Sequence, residues 1–387
     1  MQIVFLSNYF NHHQLYLANE LYRLSNEKFI FIETSPMEKE RISLGWQITN
    51  VPSYVYSYHS LDPHDKKNID NLIDNADIVI LGSAPYNMIK KRLHSKKITF
   101  LYWERIYKDS YGAFYKWPYR YFHHFIKYGR YSNLYLLCAS AFTAADFAKT
   151  HTFVNKAFKW GYFPQAIKYN DVDKLIAKKE KNSLLWVGRL IDWKHPEKAL
   201  NIAEKLKEEK IPFNLKIIGT GVLQNQIEKE IKRKNLNSSV SLLGSLPPTD
   251  VRKFMERSEI FLFTSDRNEG WGAVMNEAMN SACAIVASHS IGSVPFLGIH
   301  NDNCLIYQND DFYDLYEKVH FLLKNNEERK RLGKKAYLTI MNSWNPSIAS
   351  SRFIEVCKNL LQKQISFETS GPCSKAELLS DNWFQKK

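Results

Sequence analysis

Short apolar runs alternate along this chain with segments whose apolar side chains recur every three or four positions, the two spacings that separate buried strands from amphipathic helices. Residues 2–6 and 28–33 are such runs, and between them 13–25 sets Leu15, Ala18, Leu21, Tyr22 and Leu24 on one helical face. Further strands are predicted at 77–81, 98–102 and 134–138, while 34–75 carries no clear period. From Asn170 to Asn182 the chain turns lysine-rich and loses its apolar spacing, which predicts a domain boundary. The second half then restarts. Strands are predicted at 183–187, 214–218, 240–242, 260–264, 284–287 and 304–307, and helices at 196–209, 221–235, 249–257, up to Ala282, 312–324, 327–341 and 346–362. Alternation of this kind predicts parallel, doubly wound sheets, an α/β fold. The domains expected are 1–170, 171–345, a last helix over 346–364, and a flexible tail at 365–387.

Length and composition agree with this division. A chain of 387 residues, 44% hydrophobic and 24% charged, suits about two ordinary globular domains. No run approaches the roughly 18 apolar residues of a spanning helix, and the amino terminus opens on a strand rather than a signal peptide, so a cytoplasmic setting is expected. The five cysteines show no close pairing, which predicts reduced thiols and no zinc. A net charge of +13 is the one bulk departure and points to an anionic partner: nucleic acid, an anionic membrane surface or a phosphorylated substrate.

Candidate chemistry concentrates between Glu259 and Ser288. A β-branched and aromatic strand leads into Glu269-Gly270-Trp271-Gly272, then a helix, then the strand Ala284-Ile285-Val286-Ala287. Glu269 falls at the carboxyl end of the first strand and Glu277 in the helix, and in an open α/β sheet that edge is where ligands bind. The glycines let backbone approach a ligand, and the amides opening the helix offer an anion site. Two glutamates eight positions apart are equally common on solvated helix faces, so the context carries this reading. Upstream, Gly188-Arg189-Leu190 leaves a buried strand, with Lys194 five residues past Arg189, so both cations could clamp a diphosphate. Gly219-Thr220-Gly221 is a tight turn without the third glycine of a dinucleotide fingerprint.

Together with Leu243-Gly244-Ser245-Leu246 and the block Glu269 to Met279, these segments resemble the retaining, nucleotide-sugar-dependent glycosyltransferases of the GT-B fold, specifically glycosyltransferase family 4. The resemblance covers Leu185 to Tyr307. It implies two Rossmann-like domains facing across a cleft, with a last helix crossing back to the first. It also implies that Arg189 and Lys194 hold the donor diphosphate, Glu277 the ribose, and Glu269 with the following backbone the transferred sugar. Gly188, Gly219, Gly221, Leu246, Gly270, Trp271, Gly272, Ala273 and Val274 would complete the donor site. No cofactor and no essential metal are implied, since basic side chains and a helix terminus would neutralise the leaving diphosphate. Trp271 stands where another aromatic is usual, and Ala282 replaces a common glycine.

The first half departs further. Asn8-Tyr9-Phe10-Asn11-His12-His13 replaces a glycine-rich loop, and no histidine follows the central strand, where Trp103-Glu104-Arg105 stands instead. His12, His13, Glu104 and Arg105 are therefore the acceptor candidates, against capping or packing roles. Asp171-Val172-Asp173 matches an Asp-x-Asp metal pattern, but lies in the lysine-rich linker, and no metal site is expected there. From Phe100 to Tyr131 aromatics mix with Arg105, Lys108, Lys116, Arg120, Lys127 and Arg130, a composition that suits a helix lying on anionic lipid, a buried aromatic helix, or single-stranded nucleic acid. The partners expected are a nucleotide-sugar donor, a lipid-linked saccharide acceptor and the cytoplasmic face of an anionic membrane, in bacterial surface-polysaccharide synthesis. A basic nucleic-acid-binding protein without catalysis is the alternative. It leaves Glu269, Glu277 and Arg189 unexplained, so no nucleic acid is expected.

Overall fold

Runs of Ile, Val, Leu and Phe, apolar toward both faces, build two wholly parallel sheets, as strands covered by helices on both sides require. The computed structural model describes residues 1–43, 45–108 and 117–385, without the side chains of 40, 43, 117 and 120. One unit comprises Met1–Gln165 with Asn345–Ser380; the other comprises Ala166–Trp344 and the chain from Asp381. The chain thus changes unit at Gln165–Ala166, a few residues before the boundary expected from lysine content.

The first unit holds β1 (Ile3–Ser7), β2 (Phe29–Glu33), β3 (Val55–Ser57), β4 (Ile78–Leu81), β5 (Thr99–Trp103), β6 (Leu134–Cys138) and β7 (Ala157–Lys159), in the order β3-β2-β1-β4-β5-β6-β7. The helix His12–Leu24 starts on a capping box, Asn11 accepting from the His13 amide at 2.9 Å while its own amide reaches Gln14 at 3.1 Å. It buries Leu17, Ala18 and Leu21 and packs on the helix Pro346–Leu361, which belongs to this unit. The stretch without a sequence period contains β3 and the helix Pro63–Asn75. That helix buries only Ile69 and Ile73, too few apolar positions to mark it in a run of Asp, Lys and Asn.

Part of the stretch expected as a flexible tail is bonded to the first sheet. Residues 373–376 run along β7, with amide bonds Lys159 to Ser374 at 2.7 Å, Cys373 to Lys159 at 2.8 Å and Ala376 to Ala157 at 3.0 Å. Cys373 and Ala376 are buried. A three-residue strand offers its unpaired edge, and the backbone bonds that fill it need no side-chain period to be read from sequence.

The second unit holds β8 (Glu180–Val187), β9 (Asn214–Ile218), β10 (Val240–Leu242), β11 (Ser258–Phe263), β12 (Ala284–Ser288) and β13 (Leu305–Tyr307), in the order β10-β9-β8-β11-β12-β13. Its core joins Leu184, Trp186, Leu200, Ile217, Ile260, Leu262, Val286 and Val319. Lys179 stitches the entry of β8 to this core by donating to the carbonyls of Met255 (3.0 Å), Ser258 (2.8 Å) and Ser281 (2.8 Å). Burial lowers its pKa, with Cys283 beside it opposing that shift. In each sheet the chain order turns back beside the first strand: β1 lies between β2 and β4, and β8 between β9 and β11. All five cysteines are free and buried. Among the described residues no helix is long and apolar enough to cross a membrane.

Candidate active site

At the carboxyl ends of β8 and β11, the turning point of the second sheet, two loops meet. The loop after β8 is fixed by its neighbour: the Gly188 amide bonds Ile218 at 3.0 Å and the Leu190 amide bonds Thr220 at 2.8 Å. A Cβ on Gly219 would stand 1.8 Å from the Gly188 carbonyl oxygen, and one on Gly221 would stand 2.4 Å from that of Leu190. These two glycines therefore serve close loop-to-loop contact. From the other side, Thr264 at the end of β11 donates to the carbonyls of Lys194 (2.8 Å) and His195 (3.0 Å) and accepts from the buried Trp186 indole at 2.8 Å.

Lys194 and Glu269 are brought together as an ion pair. Their side chains are only 14% and 12% exposed, so the attraction is screened far less than that of a surface pair. Ser265 adds a hydroxyl to the same carboxylate oxygen at 3.1 Å. The backbone of Glu269 is held on both sides, its amide by Asp266 at 3.1 Å and its carbonyl by the Gly292 amide at 3.2 Å. Gly272 has φ +80°, and a Cβ there would meet the Phe263 ring at 2.2 Å, so only glycine lets the chain turn off this strand. The guanidinium of Arg189, a half-buried residue, lies 5.6 Å from the Trp193 ring centroid, a cation–π contact.

His195 and Asp266 carry the arrangement further, and sequence reading missed both. His195 Nδ1 lies 2.7 Å from Glu197 and Nε2 3.3 Å from Asp266. The Asp266 hydrogen bond, then that of Glu197, raises His195 to about 9. Burial would push the Asp266 carboxyl up, but the bonds from His195 and the Asn268 amide bring it below its usual value. A cationic His195 thus ties the Lys194 loop to the Glu269 loop. It has φ 50° and precedes Pro196, the first residue of the helix Pro196–Glu208. That proline was the available signal, because it marks the preceding residue as a helix cap.

Glu277 lies in the helix Val274–Asn280, half-buried. Burial raises its pKa and Arg252 opposes the shift. Arg252 donates to the Glu277 carbonyl at 3.0 Å, to Asn280 at 3.1 Å and to Ser281 at 3.2 Å, pinning the end of that helix. The helix stops two residues before Ala282, whose φ of 54° is one that glycine adopts without cost. Gly270 is buried, while Ala273, Val274 and Leu246 are half-buried. The Trp271 side chain is 1% exposed, donates to Asn276 at 2.9 Å and packs against Phe296 and Trp344, so the indole is core and the residue meets the loop by its backbone.

The acceptor candidates separate. Arg105 is 4% exposed and pairs with Asp146 at 3.5 Å, with its guanidinium 4.7 Å from the Phe142 ring centroid, so it braces the core. Burial raises Asp146, against the pull of Arg105. Glu104 is held by Tyr162 at 3.1 Å and Lys108 at 2.8 Å. His12 and His13 stack at 3.9 Å between centroids, each edge-on to Trp46, whose ring also takes Arg41 at 4.4 Å. Burial lowers the pKa of both, and for His13 the neighbouring His12 and Arg41 add to it, so both rings are neutral. The capping role weighed for them belongs to Asn11. Asp171 caps its own helix and Asp173 pairs with Lys334 at 2.7 Å, so that acidic pair is divided.

In the basic aromatic segment, Tyr111, Phe114, Tyr115 and Lys116 lie outside the described residues. Past them Tyr119, Phe122 and Ile126 are 73%, 61% and 55% exposed, at the spacing of one face of the turns 117–129. Tyr128 and Tyr131 are buried, and Lys127 lies over Tyr86 and Arg130 over Tyr131.

The described arrangement can be set beside known proteins. Residues 168–339 match the family model of glycosyl transferases group 1. An uncharacterized glycosyltransferase of Methanocaldococcus jannaschii is 34% identical over 169 residues, covering 43% of this chain and 46% of that protein. The Campylobacter jejuni N-acetylgalactosamine-N,N'-diacetylbacillosaminyl-diphospho-undecaprenol 4-alpha-N-acetylgalactosaminyltransferase is 30% identical over 42% of each chain. The chain thus matches somewhat less than half the length of these relatives. The crystal structure of Anabaena HepE in complex with UDP superposes with a TM-score of 0.68 at 13% identity, covering 93% of this chain and 100% of that one. The fold is GT-B. In this GT-B chain the family match spans the second sheet, the Glu269 loop and the Glu277 helix, while β1 to β7 lie outside it.

Proposed function

We propose that this chain is a retaining glycosyltransferase that moves a sugar from a nucleotide-sugar donor to an acceptor hydroxyl. The observation that carries the reading is the Lys194–Glu269 pair at the turning point of β8 and β11, within the segment that matches glycosyl transferases group 1. An acidic and a basic group held in contact with little solvent suit a substrate that brings both a diphosphate and a hydroxyl-rich ring. Lys194 and Arg189 take the diphosphate, and Glu269, exchanging part of its contact with Lys194, takes the sugar hydroxyls together with backbone from Gly270 to Val274. Glu277 accepts from the ribose, a neutral partner that satisfies a half-buried carboxyl without a counter-ion. As the anomeric carbon–oxygen bond to the diphosphate breaks and the acceptor oxygen bonds that carbon from the same face, the acceptor's proton passes to the departing phosphate oxygen, and both cations steady the negative charge that grows there.

Uridine diphosphate is the nucleotide favoured, because HepE was crystallised with it. A lipid-linked saccharide is the acceptor favoured, given the undecaprenol-linked substrate named for the Campylobacter relative. We place the reaction in bacterial surface-polysaccharide assembly at the cytoplasmic face of the membrane, with Tyr119, Phe122 and Ile126 as the apolar contact and Lys127 and Arg130 attracting anionic headgroups. His12 and His13 remain the acceptor-side candidates, and no metal is assigned a role.

Titration calorimetry with UDP and with a panel of UDP-sugars, with and without chelator, tests this. We expect UDP to bind without metal and one sugar nucleotide to be consumed with its anomeric configuration kept in the product, as read by NMR. Failure to bind any nucleoside diphosphate would sink the reading, and an inverted product would sink retention alone.

A further inference from the structure

Residues 381–384 lie against the second unit at two places, and both bear on Glu269. Asp381 pairs with Arg267, two residues before Glu269, at 3.4 Å. Trp383 donates its indole proton to the His289 carbonyl at 2.9 Å, and the Phe384 ring sits 5.2 Å from His300 and 6.3 Å from His289. His289 begins the loop after β12, and three residues on, the Gly292 amide holds the Glu269 carbonyl at 3.2 Å. The same short segment therefore grips the loop that carries Glu269 and the loop that fixes its backbone. Both loops follow carboxyl ends of parallel strands, the edge where ligands bind in sheets of this order.

We propose that Asp381, Trp383 and Phe384 form a clasp of positioning residues for Glu269, fixing the two loops relative to each other in the geometry that meets the transferred sugar. This rests on the assignment of Glu269 to that sugar. The grip is modest, built on a partly exposed ion pair, a hydrogen bond and ring contacts. Segments held this way open locally long before the core does. Its effect falls on the precision of the loops and not on their folding, because β11 and β12 lie inside the sheet, between β8 and β13, and are held there by their neighbours. Precision matters more in the transition state than in ground-state binding, since a displaced carboxylate can still lie near a bound nucleotide.

The test uses the full chain as wild type, Trp383→Ala, Trp383→Phe and Asp381→Asn. It reads amide hydrogen exchange across 264–272 and 289–293, calorimetric UDP binding, and kcat and KM for whichever of UDP-glucose, UDP-galactose and UDP-N-acetylglucosamine the wild type consumes. For Trp383→Ala we expect exchange in both loops to quicken and kcat to fall, each about tenfold, the scale of one lost hydrogen bond with its ring contact, while UDP affinity and KM stay within about twofold. Trp383→Phe keeps a ring and should fall between Ala and wild type, and Asp381→Asn should change both readouts by about twofold, as for an exposed pair. Unchanged exchange in the two loops, or quickened exchange with kcat unchanged, overturns the proposal. If Trp383→Ala does not fold, the same readouts on Trp383→Phe decide it. A wild type that neither binds UDP nor turns over counts against the glycosyltransferase reading, and the exchange measurement then decides the clasp by itself.

Discussion

The carboxyl ends of the two sheets are built from opposite materials. In the second unit, loops interlock through glycines with no room for a Cβ, and opposite charges meet in near-burial: Lys194 with Glu269, His195 with Asp266. In the first, the corresponding edge is made of rings. His12 and His13 lie together and meet Trp46 edge-on, and a buried charged pair there, Arg105 with Asp146, is spent on bracing. The difference teaches where specificity of charge is needed. A site that must steady a departing diphosphate needs fixed cations, and fixed cations need an immobile backbone; a surface of neutral rings can meet an acceptor through apolar faces and a few hydrogen bonds.

The largest effect expected from this contrast is on chemistry. Glu269→Gln keeps the shape of the side chain while removing its charge, and transfer should fall on the order of a thousandfold, the scale of losing a preorganised electrostatic contact. UDP affinity should hardly move. Glu104→Gln, at the other edge, should change transfer by less than about threefold, because a half-buried carboxylate already shared with Lys108 and Tyr162 carries little net energy. Equal losses in the two variants, measured as kcat/KM on the same donor, would erase the distinction.

A middle-sized effect concerns pH. His195 is raised from 6.5 to about 9 by Asp266 and Glu197, so its bound proton favours the folded form. That contribution is complete below pH 6.5 and is lost as the pH rises toward 9. His195→Asn suits the left-handed backbone while deleting the charge. We expect it to lower stability by about 2 kcal/mol at pH 6 in urea unfolding, and the gap to wild type to close by about pH 9. A gap independent of pH would mean that His195 acts by packing alone.

The smallest effect on stability belongs to the ring-rich unit. Tyr119→Ser with Phe122→Ser removes exposed apolar area and should alter unfolding by less than about 0.5 kcal/mol. Sedimentation with anionic vesicles should nonetheless drop, and wild-type sedimentation should weaken with salt over a Debye length of roughly 8 Å. Full retention on vesicles by the double variant would detach this face from the membrane.

Much of the second unit was legible in the sequence because its chemistry is spaced along strand–loop–helix units: Glu269 and Glu277, Arg189 and Lys194 sit at fixed offsets from apolar strands. What stayed hidden depended on pairing across the chain. Nothing near His195 announces Asp266, which lies 71 positions on, and the aromatic character of Trp271 gave no sign that its indole would be claimed by Phe296 and Trp344. In the first unit the strands β1, β2, β4, β5 and β6 were readable as apolar runs, whereas β3, Val55-Tyr56-Ser57, and β7, Ala157-Phe158-Lys159, end on polar residues and form no apolar run. Arg105 looked like a ligand contact for the same reason: its partner Asp146 is 41 positions away.

The strand-like passage of residues 373–376 along β7 has a consequence for how copies of this protein behave toward each other. A parallel sheet that stopped at β7 would present open amides and carbonyls beside the apolar Phe158, a template on which another polypeptide could continue the sheet. By running antiparallel there, with a bridge between Phe158 and Lys375, the chain fills the template itself and places a lysine on the outside, so the margin of the sheet that would most readily invite self-association is closed from within.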